Sequence, residues 1–248
     1  MGKVLLITGA SRGIGAATAL LAAQRGYDVC VNYRQNRDAA ERVVRAIETS
    51  GARAVAVAAD VGVEADVVRL FDTCDKALGV PRGLVNNAGV LETQMRVDSM
   101  DAPRLARVFT TNIVGPFLCA REAVRRMSTK YGGAGGAIVN VSSGASRLGS
   151  PGEYVDYAAS KGALDTMTIG LAREVAEEAV RVNAVRAGFI YTEMHASGGE
   201  PGRVDRVKAM VPMRRGGNAD EVARAILWLL SDEASYTTGA FIDVAGGK

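Results

Sequence analysis

The stretch KVLLITGASRGIG, residues 3–15, joins an unbroken apolar run to a glycine-rich turn and then to a helical pattern. "KVLLIT" (3–8) has no polar alternation, so it reads as a strand buried on both faces. In "TGASRGIG" (8–15) the glycines fall at Gly9, Gly13 and Gly15, spaced G-x-x-x-G-x-G rather than G-x-G-x-x-G. The physics is shared by both spacings. Glycines let backbone N–H groups and a helix N-terminus meet a pyrophosphate with no side chain in the way. On spacing alone, a tight strand–helix turn without a ligand stays open.

Six further apolar runs follow: "DVCVNY" (28–33), "RAVAVAA" (53–59), "GLVNNA" (83–88), "GAIVNVS" (136–142), "VRVNAV" (180–185) and "AFIDVA" (240–245). Helical spacing lies between them. Residues 38–48 set Ala39, Val43, Ala46 and Ile47 on one face, with Gly51 as a stop, and 220–231 do the same with Val222, Ala225, Ile226 and Leu229. Strand–helix alternation over the whole chain predicts an α/β fold. It is a single doubly wound, seven-stranded parallel sheet of Rossmann type, with helices on both faces and one domain over 1–248. Residues 193–214 break the alternation, with Gly198, Gly199, Pro201 and Gly202. We expect a substrate lid there, beyond the strand ends, although a helical excursion with no role fits the same residues.

The chain has 248 residues, 48% of them apolar, which is enough for one large core. The 30 basic and 27 acidic residues are dispersed, so nothing argues for nucleic acid or an anionic membrane. Cys30, Cys74 and Cys119 are far apart and lack metal spacing; reduced buried thiols in a cytoplasmic protein are expected. The N-terminus runs straight into "KVLLITG", so no signal peptide is expected, and no apolar run approaches membrane-spanning length. Asn140-Val141-Ser142 fits a glycosylation sequon but lies in an apolar run and reads as a chance match.

The second strand ends "VNYR", without the carboxylate that holds a 2′-hydroxyl in NAD-binding units. Arg34 stands there, and Arg12 lies inside the glycine turn. Two guanidiniums converging on the adenosine ribose would suit a 2′-phosphate, hence NADP(H). Asp60, ending the third run, would accept from the adenine amino group or cap the next helix.

"TGASRGIG", "NNAG" (86–89), "TNIVGPF" (111–117), "SS" (142–143), "YAASK" (157–161) and "TTGAFIDVAGG" (237–247) together resemble the short-chain dehydrogenase/reductase family, in order and over the whole chain. The resemblance implies a nicotinamide cofactor, a small carbonyl or alcohol substrate, a homotetramer and a catalytic tetrad of Asn112, Ser143, Tyr157 and Lys161. Its cofactor contacts would be Gly9, Ser11, Arg12, Gly13 and Ile14 in the first turn, Arg34, then Asp60 and Val61. Asn87, Ala88 and Gly89 would follow, then Tyr157 and Lys161, with Gly188, Ile190 and Thr192 after the sixth strand. Ala187 stands where the family's loop has proline.

Each tetrad member has a chemical reason. Tyr157 would be general acid in reduction and base in oxidation, but a free phenol has a pKa of about 10. Lys161 sits at i+4 on the same helix face. An ammonium about 5 Å away, at an effective dielectric near 20, would favour phenolate by roughly 3 kcal/mol, about two pK units. Ser143 would hold the substrate oxygen, Asn112 would hold a water on the proton path, and Lys161 would also hold the nicotinamide ribose. Tyr154, three residues before Tyr157, is off Lys161's face and is expected in the pocket wall or at the helix start. His195, the only histidine, is expected on the surface rather than against substrate, and no metal site is expected. A catalytically silent nucleotide-binding or scaffold protein and an NAD-preferring dehydrogenase are the alternatives.

Overall fold

The computed structural model describes residues 3–248. Its strands are β1 Lys3–Ile7, β2 Tyr27–Tyr33, β3 Ala54–Ala58, β4 Gly83–Asn86, β5 Gly136–Ser143, β6 Val180–Ala187 and β7 Phe241–Val244. They pair in parallel as one sheet in the order β3-β2-β1-β4-β5-β6-β7. The order reverses between β1 and β4, which opens a crevice at the carboxyl ends of those strands.

The helices are α1 Gly13–Gln24, α2 Arg37–Thr49, α3 Glu64–Ala77, α4 Ala102–Phe109 and α5 Gly115–Met127. They continue with α6 Ala145–Leu148, α7 Val155–Glu174, α8 Met194–Ser197, α9 Arg203–Val207 and α10 Ala219–Leu230. Strand β1 shows why polar alternation is missing. Leu5 and Ile7 enter one core with Ala19 of α1 and Ile226 of α10. Val4 and Leu6 enter the opposite core with Phe71 of α3, Ala123 of α5 and Leu164 of α7. Beyond the exposed Lys3, both faces of the strand are therefore dry, and its positions from Val4 to Ile7 are apolar.

Polar residues in the strands are held by partners. Asn140 of the sequon is fully buried in β5; it donates to Thr168 Oγ1 (2.8 Å) and accepts from Asn86 Nδ2 (2.9 Å). The three cysteines are free and buried. No helix among the described residues is long and apolar enough to cross a membrane.

Candidate active site

The turn after β1 takes its shape from backbone that only glycine adopts freely: φ is +61° at Gly9 and +55° at Gly13. At Gly15 the constraint is space, since a Cβ would stand 2.5 Å from Asn87 Nδ2 and 2.6 Å from the Gly9 carbonyl. The turn is bolted to the end of β4. Thr8 Oγ1 accepts from the Asn87 and Ala88 N–H groups (both 3.0 Å), and Asn87 Nδ2 donates to the carbonyls of Thr8 (2.9 Å) and Gly9 (3.0 Å). Helix α1 starts with no side-chain cap and no acid in its first turn, so no carboxylate of its own competes for its positive end. A bare, glycine-lined helix N-terminus fits a pyrophosphate.

Asn32 was not singled out from sequence, yet its Oδ1 accepts from Gly9 N–H (3.1 Å) and its Nδ2 donates to the Ala59 carbonyl (3.1 Å). It stitches the glycine turn to β2 and β3. The available signal was a polar residue inside the apolar run "VCVNY".

The expected convergence of Arg12 and Arg34 takes a different form. Arg12 Nη2 reaches across to Ser197 Oγ (3.2 Å) at the end of α8, while Arg34 Nη1 stands 3.7 Å from Asp60 Oδ2. Arg34 and Asp60 are both partly open to solvent, so the pair is weak and leaves Arg34 able to turn to a ligand. Asp60 Oδ1 accepts from Gly62 N–H (2.9 Å) within the turn, but it does not cap the next helix, whose N-cap is Val63 with no side-chain cap bond. Thr192 packs against Gly13, where a Cβ would come within 3.3 Å of its methyl group, which brings the loop after β6 onto the phosphate turn.

At the other end of the cleft, Ser143 closes β5 and Tyr157 and Lys161 share a face of α7; all three line one cavity with Asn87, Gly188 and Thr192. Lys161 Nζ donates to the Val141 carbonyl (2.8 Å) and lies 5.6 Å from the centre of the Tyr157 ring. Position 89 is adjacent, since a Cβ on Gly89 would stand 3.7 Å from Lys161 Nζ. Ser143 Oγ accepts from Ala145 N–H (3.1 Å) and faces Tyr157.

The expected lowering of the phenol pKa is not what the structure gives. Part of the Tyr157 ring faces the cleft, but protein encloses its hydroxyl, and desolvation pushes it up to about 12 against the opposing pull of Ser143 and the Arg203 charge. Lys161 is buried too, and desolvation pushes its ammonium down to about 8, with Asp165 pulling the other way. The i+4 pairing is present, but desolvation is the largest influence on the phenol, and the opposing pull comes from Ser143 and Arg203 rather than from Lys161. Burial therefore favours the neutral phenol at Tyr157.

Asn112 also departs from expectation. It lies not in a regular helix but in a π-helical turn, Thr110–Val114, between α4 and α5. Its Oδ1 accepts from Val90 N–H (2.8 Å), and Nδ2 donates to the Val90 carbonyl (3.0 Å) and Ser160 Oγ (3.1 Å). Both Nδ2 donors are therefore used, and Oδ1 has one of its two acceptor positions filled. Asn112 ties the loop after β4 to α7 and so positions Lys161 beside it.

Tyr154 is both cleft wall and helix start: it precedes α7, is 2% exposed, and its hydroxyl reaches the Gly198 carbonyl at 3.4 Å. His195 corrects a reading. It lines the cleft rather than the open surface, with Nε2 on the Ile190 carbonyl (3.1 Å). Arg203 and Lys248 line the same cleft and were missed, because neither belongs to a periodic segment or a motif.

A family model described as enoyl-(acyl carrier protein) reductase matches residues 9–248. The chain belongs to the short-chain dehydrogenase/reductase family. It is similar to the uncharacterized oxidoreductase YgfF of Escherichia coli (strain K12), 63% identical over 99% of each chain. It is also similar to the 3-oxoacyl-[acyl-carrier-protein] reductase FabG of a Staphylococcus epidermidis strain, 35% identical over 100% of this chain and 99% of that protein. A mutant short-chain dehydrogenase/reductase of Serratia marcescens has the same fold, with a TM-score of 0.91 and 33% identity over 100% of this chain and 98% of that one. The protein is thus an oxidoreductase of a family that uses nicotinamide cofactors and small-molecule substrates.

Proposed function

We propose that the protein is an NADP(H)-dependent oxidoreductase that interconverts a ketone and a secondary alcohol, with Tyr157 as general acid and base. The observation that carries this reading is one cleft lined by Ser143, Tyr157 and Lys161 and bounded by Ile14 of the glycine turn. Reduction adds a hydride to the carbonyl carbon and a proton to its oxygen; a nicotinamide, when bound, supplies the first and Tyr157 the second. Ser143 donates to the same oxygen and fixes it against the phenol. Lys161 holds a positive charge nearby that favours the phenolate left behind. The glycine turn and the α1 N-terminus would hold the pyrophosphate, with Lys161 on the nicotinamide ribose. The lid at 193–214 would cover the substrate. The FabG relative is named for reduction of a 3-oxoacyl group, which is a ketone, and that supports this reaction class. The test is loss of NADPH absorbance with a panel of ketones; no turnover with any of them, with intact NADPH binding, favours a silent nucleotide-binding protein.

NADPH should be preferred to NADH, and Arg34→Ala should erase most of the preference. A charge-assisted bond to a 2′-phosphate contributes about 1.5–3 kcal/mol, roughly 10–150-fold. Equal affinity of the parent for both cofactors in a binding titration would defeat the Arg12 and Arg34 argument.

The protein should also be a homotetramer. Phe117 of α5 is 53% exposed, and Tyr131 beyond that helix is 59% exposed. Ile169 of α7 and Trp228 of α10 add exposed apolar surface. Such patches call for a partner surface. Light scattering that gave a particle of 25.9 kDa, the mass of one chain, would refute it.

A further inference from the structure

The charged residues that line the cleft all carry one sign. Lys161, Arg203 and Lys248 line it, and no aspartate or glutamate among the described residues does. Lys161 belongs to the reacting groups, but Arg203 and Lys248 are left without a role. The Arg203 guanidinium carbon lies 4.5 Å from the centre of the Tyr154 ring and 5.7 Å from that of Phe189; Lys248 Nζ lies 5.3 Å from the same Phe189 ring. Two aromatic walls thus gather two cations at one end of the cleft.

Arg203 is only 7% exposed, and its bonding is incomplete. Nη2 donates to Glu153 Oε2 (2.5 Å), but buried Nη1 has no hydrogen-bond partner among the described residues. The carboxylate nearest to it on the lid, Glu200, stands 3.7 Å from Nη1 and is hydrogen-bonded by Arg206 and Gln94. Glu153 is shared as well, since Arg206 Nη2 takes its other oxygen at 3.0 Å. A buried guanidinium N–H without an acceptor is costly, so a built site with an acceptor still to come is the economical explanation. Lys248 Nζ has no hydrogen bond or ion pair among the described residues, while its main-chain oxygen lies 3.5 Å from Arg147 Nη2. His195 adds a second unsatisfied atom on this side. Its Nε2 must donate to the Ile190 carbonyl, which leaves buried Nδ1 as an unpartnered acceptor suited to a substrate hydroxyl.

We propose that this end of the cleft is an anion subsite and that the substrate is a small ketone or secondary alcohol bearing a carboxylate, held by Arg203 and Lys248 while its carbonyl meets Ser143 and Tyr157. The assignment rests on the oxidoreductase reading above for the reaction, but not for the binding of the anion. The Arg203 charge reaches Tyr157 itself, so the subsite and the proton donor belong to one cavity.

The test uses matched pairs that differ only in charge: acetoacetate and 4-oxopentanoate against their ethyl esters, with NADPH and the full chain. At the better spacing, the acid should exceed its ester in kcat/KM by about 10-fold or more, mainly through KM. Arg203→Met should lower the acid's kcat/KM about 10–100-fold, and far more than the ester's. Arg203→Lys should restore part of it by returning a cation. Lys248→Met, at a half-buried position outside both cores, should lower the acid's value by a smaller factor. Calorimetric titration of the NADP⁺-loaded protein with 4-oxopentanoate measures the subsite without turnover. Esters equal to or better than acids across the series, or an acid preference indifferent to both substitutions, would overturn the subsite. So would the absence of both reduction and binding of either acid. Arg203-dependent acid binding with no ketone reduced would instead leave the subsite standing and refute the reaction.

Discussion

Tyr157→Phe should lose the chemistry, about 10²–10⁴-fold in turnover, while Tyr154→Phe keeps most of it. Phenylalanine fills nearly the same volume at either position, so neither change should unfold α7. At 157 it removes the phenol that shares the cleft with Ser143 and Lys161. Cofactor affinity should change little, since Lys161 is untouched. At 154 it removes one long hydrogen bond to the Gly198 carbonyl, 3.4 Å, a contribution of roughly 0.5–1.5 kcal/mol. Turnover and NADPH affinity of both variants decide the matter; comparable losses would mean the wrong phenol has been assigned. The pH dependence follows from the same burial. Below about 8 Lys161 is charged and Tyr157 is protonated, as the proposed reduction requires. As pH rises through about 8 the ammonium is lost, while the phenol persists towards 12, so reduction should fall on an alkaline limb near 8. A rate flat to pH 10 would show that the Lys161 charge is not needed. Stability runs the other way in that window. Lys161's folded pKa, about 8, lies below its ordinary 10.5, so the unfolded chain binds more protons between those values and folding gains as pH rises.

Local pattern carried the fold because the inner strands of the sheet are dry on both faces. The run "KVLLIT" lies within one residue of β1, and the helix expected over 38–48 is α2, Arg37–Thr49. The i+4 pairing of Tyr157 with Lys161 was equally legible, since helix geometry alone sets it. What escaped depends on distant neighbours. The tie of Asn112 to Val90 and Ser160 cannot be read from "TTNIV", because its partners lie 22 and 48 residues away. The direction of the Tyr157 shift depends on how much protein encloses the hydroxyl, which spacing does not encode. Arg203 enters the cleft from the start of the short helix α9 and Lys248 from beyond β7, so no motif marks either. Conversely, Arg12 and Arg34 were found by position, but their partners Ser197 and Asp60 come from the tertiary fold.

The residue before Tyr157 should matter more to folding than Tyr157 does. Asp156 and Arg104 form an ion pair whose side chains are 1% and 4% exposed. Arg104 Nε donates to Asp156 Oδ2 (2.8 Å) and Nη2 to Oδ1 (3.4 Å), while Nη1 takes the Thr93 carbonyl (2.7 Å). The pair clamps the first turn of α7 to α4, whose start is itself capped by Asp101. Asp156→Ala would leave a guanidinium buried with no counter-charge, at a cost of about 3–5 kcal/mol. In a chain of this size that corresponds to a drop in Tm of roughly 6–20 °C. Removing both charges is a different experiment. Asp156→Leu with Arg104→Met leaves nothing uncompensated and should regain most of the loss, because buried pairs replaced by apolar residues are often near neutral. Thermal unfolding of the single and double variants measures the coupling directly. If Asp156→Ala loses less than about 1 kcal/mol, water has entered to solvate Arg104 and the clamp is not closed in solution. If the double variant is as unstable as the single one, the cost lies in lost packing rather than in a stranded charge. With the clamp opened, Tyr157 rides on a frayed helix start, so Asp156→Ala should lower kcat even at temperatures where the chain remains folded.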